Sequence, residues 1–398
     1  MMRRQEFWLI VYGTFLSSLI GVISFLFLLA EKNSSHLIWE IWGHLFPFPI
    51  LYKAVVILLG ATLLYQFKEK WGNLPRASHD LIEELKETQR VDYARTWHGL
   101  GLALIILTVG AGVGPEAPLL GAVIAFSIWQ ADKLRYLKLH SQAFAQLALK
   151  DKLIWLFHPY RYLQVYSAEE KLSKRKKIYF AINGLVVFLV LMKMTEQPSF
   201  ITKLGSSAWQ VKDLLVFLPL LLYGYGLGKL YLYVVGLLKQ MLNRLDLSVF
   251  ARVFLGAGAI FLIALFTPYL MFSGQHSMHL VLELGLVVSP LALIALSLLK
   301  LLFLDICMET GWSGGDIFPI SFASILQGYA LAQLLPNFDP LFVVLVVSIA
   351  MAASILKQEV IAVIFIALFF PLNLWPIAGM ILAMLFLFKK GIAKWRQV

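Results

Sequence analysis

Long apolar runs alternate with short polar interruptions along the whole chain. The runs at 7–29, 48–65, 178–194, 214–238, 250–271 and 281–304 each come close to the roughly 20 residues that a bilayer-crossing helix needs. A further apolar helix is predicted from the glycine-rich stretch at 310–319 to about 335, and shorter apolar segments follow at 341–355, 360–370 and 377–388. Two runs in the first half, 100–109 and 119–128, are each too short to cross alone. Joined, they are too long for one crossing. The pattern predicts an all-α, polytopic membrane protein of roughly 10–14 membrane-embedded helices, several of them broken or partial.

The polar interruptions set an orientation. Lys68, Lys70 and Arg76 follow the second run, Lys239, Arg244 and Arg252 separate the fourth from the fifth, and the tail carries Lys389, Lys390, Lys394 and Arg396. Residues 129–177 hold eleven Lys or Arg against four Asp or Glu, whereas 195–212 carries only Lys203 and Lys212 as basic residues. Basic loops lie on the cytoplasmic side, so both termini are expected there, in a multi-pass protein of the cell membrane. The 129–177 stretch reads as a solvated face touching anionic headgroups. Residues 77–96 form the first clearly polar stretch, with a short surface helix expected around Leu81 and Leu85, entered from the turn Gly72-Asn73-Leu74-Pro75.

Composition narrows the class. The 398 residues are 60% hydrophobic and 14% charged, against about a quarter charged in soluble proteins. One membrane domain over 1–398 is expected, with approximate halves 1–200 and 201–398 and no soluble regulatory domain. The formal charge of +11 has no soluble basic module to carry it toward nucleic acid, so the lipid bilayer is the expected partner. A single cysteine, Cys307, leaves no internal disulfide or multi-cysteine metal cage. The start, Met1-Met2-Arg3-Arg4 before a long apolar run, reads as an uncleaved first span.

Two stretches carry chemistry. Gly112-Val113-Gly114-Pro115-Glu116-Ala117-Pro118 breaks the paired short runs and sets a carboxylate in surroundings otherwise without charge. A broken helix at membrane depth is tolerated where it lines a cavity or is buried in protein, and an intramembrane carboxylate points to ion or proton traffic. Thr310-Gly311-Trp312-Ser313-Gly314-Gly315-Asp316-Ile317-Phe318-Pro319 opens an apolar helix, whose first N–H groups and positive end make an anion seat. One such break per half is the pattern of a transporter built from repeats, and two helix starts favour an anion over a cation. Two weaker features are His276 with His279, which lack a third ligand for a metal, and Lys357-Gln358-Glu359, read as an internal ion pair. No metal or cofactor is implied.

These residues resemble the CLC family of chloride channels and proton–chloride antiporters. Gly114-Pro115-Glu116-Ala117-Pro118 is similar to the family's G-[KR]-E-G-P motif, which implies that Glu116 is the gating or proton-carrying glutamate and that Gly114, Pro115 and Ala117 border the anion. Gly315-Asp316-Ile317-Phe318-Pro319 resembles the family's G-x-F-x-P, which implies anion donors at Ile317 and Phe318. Gly72 and Asn73 stand for its early G-S-G-x-P turn, and 352–362 resembles its late helices. The resemblance implies an inverted-repeat architecture, a homodimer, and chloride as the transported ion.

This sequence departs from the family pattern at four places. Pro115 replaces a basic residue and Ala117 a glycine; Asp316 sets a carboxylate where an anion should approach; and no tyrosine follows Tyr329 to complete the anion site. Nor does Glu169 or Glu170 match the inner proton-accepting glutamate. Channel-like transport or loose proton coupling is therefore expected before strict antiport. The alternatives are a non-transporting member, a fluoride or other anion carrier, and a cation carrier with Glu116 and Asp316 as ligands. An intramembrane hydrolase is disfavoured, since Ser313 and Cys307 have no histidine partner in the pattern.

Overall fold

The computed structural model describes residues 2–72, 74–75, 81, 83–84, 87, 91–164, 172–195, 203–274, 277–278 and 280–395, with 2–5, 280, 282 and 391–395 described by backbone alone. Its helices are α1 (Met2–His36), α2 (Pro49–Trp71), α3 (Thr96–Val109), α4 (Glu116–Leu139), α5 (Ser141–Gln146), α6 (Leu149–Phe157), α7 (Lys174–Met194) and α8 (Phe217–Arg244). There follow α9 (Val249–Phe266), α10 (Leu280–Val287), α11 (Pro290–Glu309), α12 (Ile317–Leu334), α13 (Pro340–Leu356), α14 (Glu359–Ala367) and α15 (Trp375–Trp395). Among the described residues, eight helices are long and apolar enough to cross a membrane, and Thr96–Val109 and Pro340–Leu356 are shorter apolar helices. This is an all-α, multi-pass membrane protein.

The helices depart from the predicted runs where proline or a distant partner intervenes. The run at 281–304 is two helices, because Pro290 has no N–H to continue the turn and pushes Ser289 to an extended conformation. The run at 250–271 stops at Phe266, and Pro268 opens a single 3₁₀ turn. Glu359 pairs with Lys389 at 2.8 Å, so the ion pair expected within 357–359 forms with the last helix instead. Lys357 sits at the left-handed end of α13, with φ 56°.

The chain divides into two compact units. The first comprises Met1–Trp42, Phe67–Thr108 and Pro115–Pro198. In it α1 packs against α4 and α7. At the crossing of α1 and α7, a Cβ on Gly21 would stand 2.5 Å from the Gly184 carbonyl oxygen. Small residues let two helices approach closely where lipid removes the hydrophobic drive to associate. Asn183 strengthens the contact by donating to Thr14 O (3.1 Å) and Ser17 Oγ (2.8 Å).

Part of the basic 129–177 stretch is not a solvated face. Asp132, Lys133 and Arg135 are buried at the end of α4. There Lys133 Nζ donates to the carbonyls of Trp155 (3.2 Å), His158 and Arg161 (2.9 Å), and Arg135 binds Asp132. Buried charges need partners, and these three tie the 149–164 segment to α4. Glu169 and Glu170 lie outside the described residues.

The second unit comprises Gly43–Gln66, Val109–Gly114 and Ser199–Val398. Its centre is α13, buried from Leu341 through Ile355 and packed against α8, α12, α14 and α15. Gly224 and Gly228 of α8 let that helix touch α13, since Cβ atoms there would lie 2.6 Å from Val347 O and 2.8 Å from Met351 O. Asp339 caps α13. Its carboxylate accepts from Phe342 N and Ser207 Oγ, both at 2.8 Å, and from Ala208 N at 2.9 Å. Its own N–H reaches buried Asp213 at 3.1 Å. Asp339→Ala is expected to cost about 1–3 kcal/mol, because it removes the cap and strands donors of two segments. The check is the thermal midpoint of the purified protein, where an unchanged value would contradict this role.

Candidate functional site

The first break is held by close backbone contacts. Gly110, at φ 97°, ends α3 in a conformation that glycine adopts without strain. Gly112 donates its N–H to Cys307 Sγ at 3.3 Å, and a Cβ on Gly112 would lie 2.6 Å from the Phe303 ring. Gly114 and Gly315 then form a two-bond antiparallel bridge, N to O at 2.7 Å and 2.6 Å. The two glycine-rich stretches, 201 residues apart in sequence, therefore meet backbone to backbone in the second unit.

Beyond the bridge, each helix begins alike. In α12, Asp316 is the N-cap and makes no side-chain cap bond. Ile317 and Phe318 are the first two helical residues, Pro319 has no N–H, and Ile320 N donates to Asp316 O at 3.0 Å. The N–H groups that this helix start leaves without an intrahelical partner are therefore those of Asp316, Ile317 and Phe318. In α4, Pro115 is the N-cap, Glu116 and Ala117 come first, Pro118 has no N–H, and Leu119 N donates to Pro115 O at 3.1 Å. Its outward donors are confined to Glu116 and Ala117. Both ends carry the partial positive charge of a helix start.

This bonding narrows the predicted site. Gly114 and Gly315 give their N–H groups to each other, and Pro115 and Pro319 have none, so these four shape the backbone rather than donate. Gly72 is likewise engaged, as its N–H caps α2 at Lys68 O, 2.9 Å away. Its φ of 75° lets the turn leave the helix. Asn73 lies outside the described residues. Within the first unit, Leu74 and Pro75 of that turn share with Pro118 a cavity of about 30 Å³, space for about one water. Glu116 is half-buried, and Asp316 is exposed in this chain.

Several residues around the second break were not singled out by the pattern. Lys300 is fully buried and donates to the carbonyls of Leu270 (3.0 Å) and Phe272. Trp312 is fully buried, with Nε1 on Val253 O at 3.0 Å. Tyr231 of α8 donates to Asp305 of α11. The signal for Lys300 was in plain view, a lone lysine inside a long apolar run. Among the described residues, no group of three or more His, Cys, Asp or Glu side chains could hold a metal ion. His276 and His279 lie outside them.

Glu359 Oε1 accepts the Lys389 bond at 2.8 Å, and this bond holds its carboxyl below the usual range. A depressed carboxyl stabilises the fold above its unfolded value, about 4.3, and that contribution disappears as pH falls through the folded value. The difference in thermal midpoint between wild type and Lys389→Met should thus be largest near neutral pH and shrink in acid. A difference that grows in acid would contradict the pairing.

The family model described as voltage gated chloride channel matches residues 167–386, more than half of the chain. The chain belongs to that family. No curated protein matches the sequence. Solved structures give the fold. A slow cyanobacterial Cl⁻/H⁺ antiporter aligns with a TM-score of 0.70 at 15% identity, covering 95% of this chain and 94% of its own. A CLC-type fluoride/proton antiporter aligns at 0.61 and 16%, covering 94% and 93%. A eukaryotic CLC transporter aligns at 0.58 and 14%, covering 90% and 67%. At these identities the likeness is one of fold. Glu116 and its motif precede the matched segment, whereas the 310–319 stretch lies inside it.

Proposed function

We propose that this chain moves a small anion, chloride first, across the cell membrane through a path lined by helix starts. The observation that carries the reading is the start of α12, where Pro319 has no N–H and the helix ladder leaves those of Asp316, Ile317 and Phe318 at the positive end. A helix start of this kind is an anion seat held by backbone N–H groups, needing no metal or cofactor. Family membership supports transport over enzymatic chemistry. In this reading Glu116 is the gate. Ionised, it competes for the positive helix end; protonated or displaced, it yields to the anion. Asp316 stays beside the path rather than in it when the anion is bound.

The solved antiporters of chloride and of fluoride support coupling of the anion to protons, with fluoride as the second candidate substrate. A homodimer with one path per subunit, one membrane domain over 1–398 and cytoplasmic termini complete the proposal. The test is efflux of chloride, bromide, nitrate and fluoride from liposomes holding the purified protein. Chloride efflux well above protein-free liposomes is expected. Fluoride efflux alone would reassign the substrate. No halide movement would overturn the reading and favour a non-transporting family member in which Asp316 has closed the seat, and flux driven by Na⁺ or H⁺ without halide would overturn it in favour of a cation carrier with Glu116 and Asp316 as ligands.

A further inference from the structure

The first unit contains a cavity of about 820 Å³ walled by α1, α4 and α7. Its α4 wall repeats at helical spacing, with Glu116, Leu120, Val123, Ser127, Ala131 and Arg135 on one face. On α7 the wall is Lys177, Ala181, Gly184, Leu185 and Phe188.

The cavity's chemistry points to hydrocarbon. Most of its wall is aliphatic or aromatic, and three of its polar members are bonded within the protein. Ser17 Oγ donates to Thr14 O at 3.0 Å, Ser24 Oγ to Ile20 O at 2.9 Å, and Gln130 Nε2 to Gly13 O at 2.7 Å. One end is basic. Lys177 is exposed there, with Lys174 and Arg175 exposed in the same first turn of α7. Arg135 lines the same end and is bound to Asp132.

Length fits as well. Lys177 to Phe188 on α7 is eleven residues, about 16 Å at 1.5 Å per residue, and half of a hydrocarbon core of roughly 30 Å is about 15 Å. The apolar wall is therefore long enough to extend through one leaflet from its basic rim.

We propose that this cavity holds one acyl chain of an anionic phospholipid, with its phosphate at Lys177 and its hydrocarbon running along α4 toward Glu116. The inference rests on membrane embedding and on this unit's own geometry; it does not need Glu116 to be a gate. If Glu116 is the gate, lipid bound here puts hydrocarbon beside it, and anion flux would follow the anionic lipid content of the membrane.

The test is native mass spectrometry of the full chain released from nanodiscs of equal phosphatidylglycerol and phosphatidylcholine. One phosphatidylglycerol retained per chain is expected. A basic residue near a membrane surface contributes enough that Lys177→Glu should lower phosphatidylglycerol retention about fivefold or more. Ala181→Trp fills the cavity without changing charge and should abolish retention, with Leu185→Trp as an independent filling variant. Circular dichroism and gel filtration confirm that each variant is folded. Equal retention of the two lipids by wild type would overturn the proposal. So would undiminished retention in both tryptophan variants, or a change in monomer–dimer equilibrium with lipid content unaltered, which would assign the crevice to a second copy. Absence of halide flux in the efflux assay leaves this result independent, because retained lipid is counted without transport.

Discussion

Glu116→Gln is expected to abolish any proton movement that accompanies anion flux and to change the chloride efflux rate about tenfold, which corresponds to about 1.4 kcal/mol in the barrier. Glutamine has the shape of the protonated acid and cannot ionise. It therefore removes the negative charge that competes with an anion for the start of α4, together with the group that carries a proton. Glu116→Ala removes the side chain as well, so its efflux should be at least as fast as that of the glutamine variant. Chloride-electrode recording with an internal pH dye, on wild type and both variants, reads both quantities. Efflux and proton movement unchanged in both variants would show that Glu116 is a wall residue of the lipid-facing cavity and not a gate. Efflux changed with proton movement retained would separate the two roles and place the proton carrier elsewhere.

Gly314→Val is expected to abolish transport by preventing the second break from closing. A Cβ at Gly314 would lie 2.4 Å from Val113 Cγ2 and 3.0 Å from Gly114 O, so the bridge between Gly114 and Gly315 could not form. Overpacking of this kind costs typically about 1–3 kcal/mol, and each of the two lost backbone bonds adds about 1–3 kcal/mol by stranding its donor and acceptor. A loss of that size should show as a large drop in thermal midpoint or as failure to purify. Gly236→Ala is the control, since an added Cβ there meets nothing within 4 Å. The milder Gly112→Ala pushes on the buried Phe303 ring, and Phe303→Leu in the same chain should recover part of its loss. If Gly314→Val kept wild-type stability and flux, the bridge would have no part in shaping the site.

What the sequence made legible was local. Runs of apolar residues give spanning helices because each needs only its own length and the absence of water. The break at 112–118 was equally legible, since glycine and proline act on the backbone where they stand. Hydropathy is blind to backbone chemistry, however, and so 281–304 read as one span although Pro290 divides it. Partnerships across the chain were not legible. Glu359 looked paired with its neighbour Lys357, and its partner is Lys389, one helix further on. Lys133 read as a solvated charge, and it is buried against three carbonyls that only the folded 149–164 segment supplies. The candidate site shows the same division. The motifs marked Gly114 and Gly315 as members, yet only the bridge between them revealed that their N–H groups are already used. The proline at the third position of both α4 and α12 was printed in the sequence, and its consequence, a helix start with one N–H fewer, became visible once the helix boundaries were known.

The anion seat at the start of α12 is tested most directly by anomalous diffraction from crystals grown in bromide. A bromide peak is expected within hydrogen-bonding reach of the Ile317 and Phe318 N–H groups, lost when chloride replaces bromide in the mother liquor. Bromide found only on the protein surface, with the start of α12 closed by the Asp316 carboxylate, would contradict it.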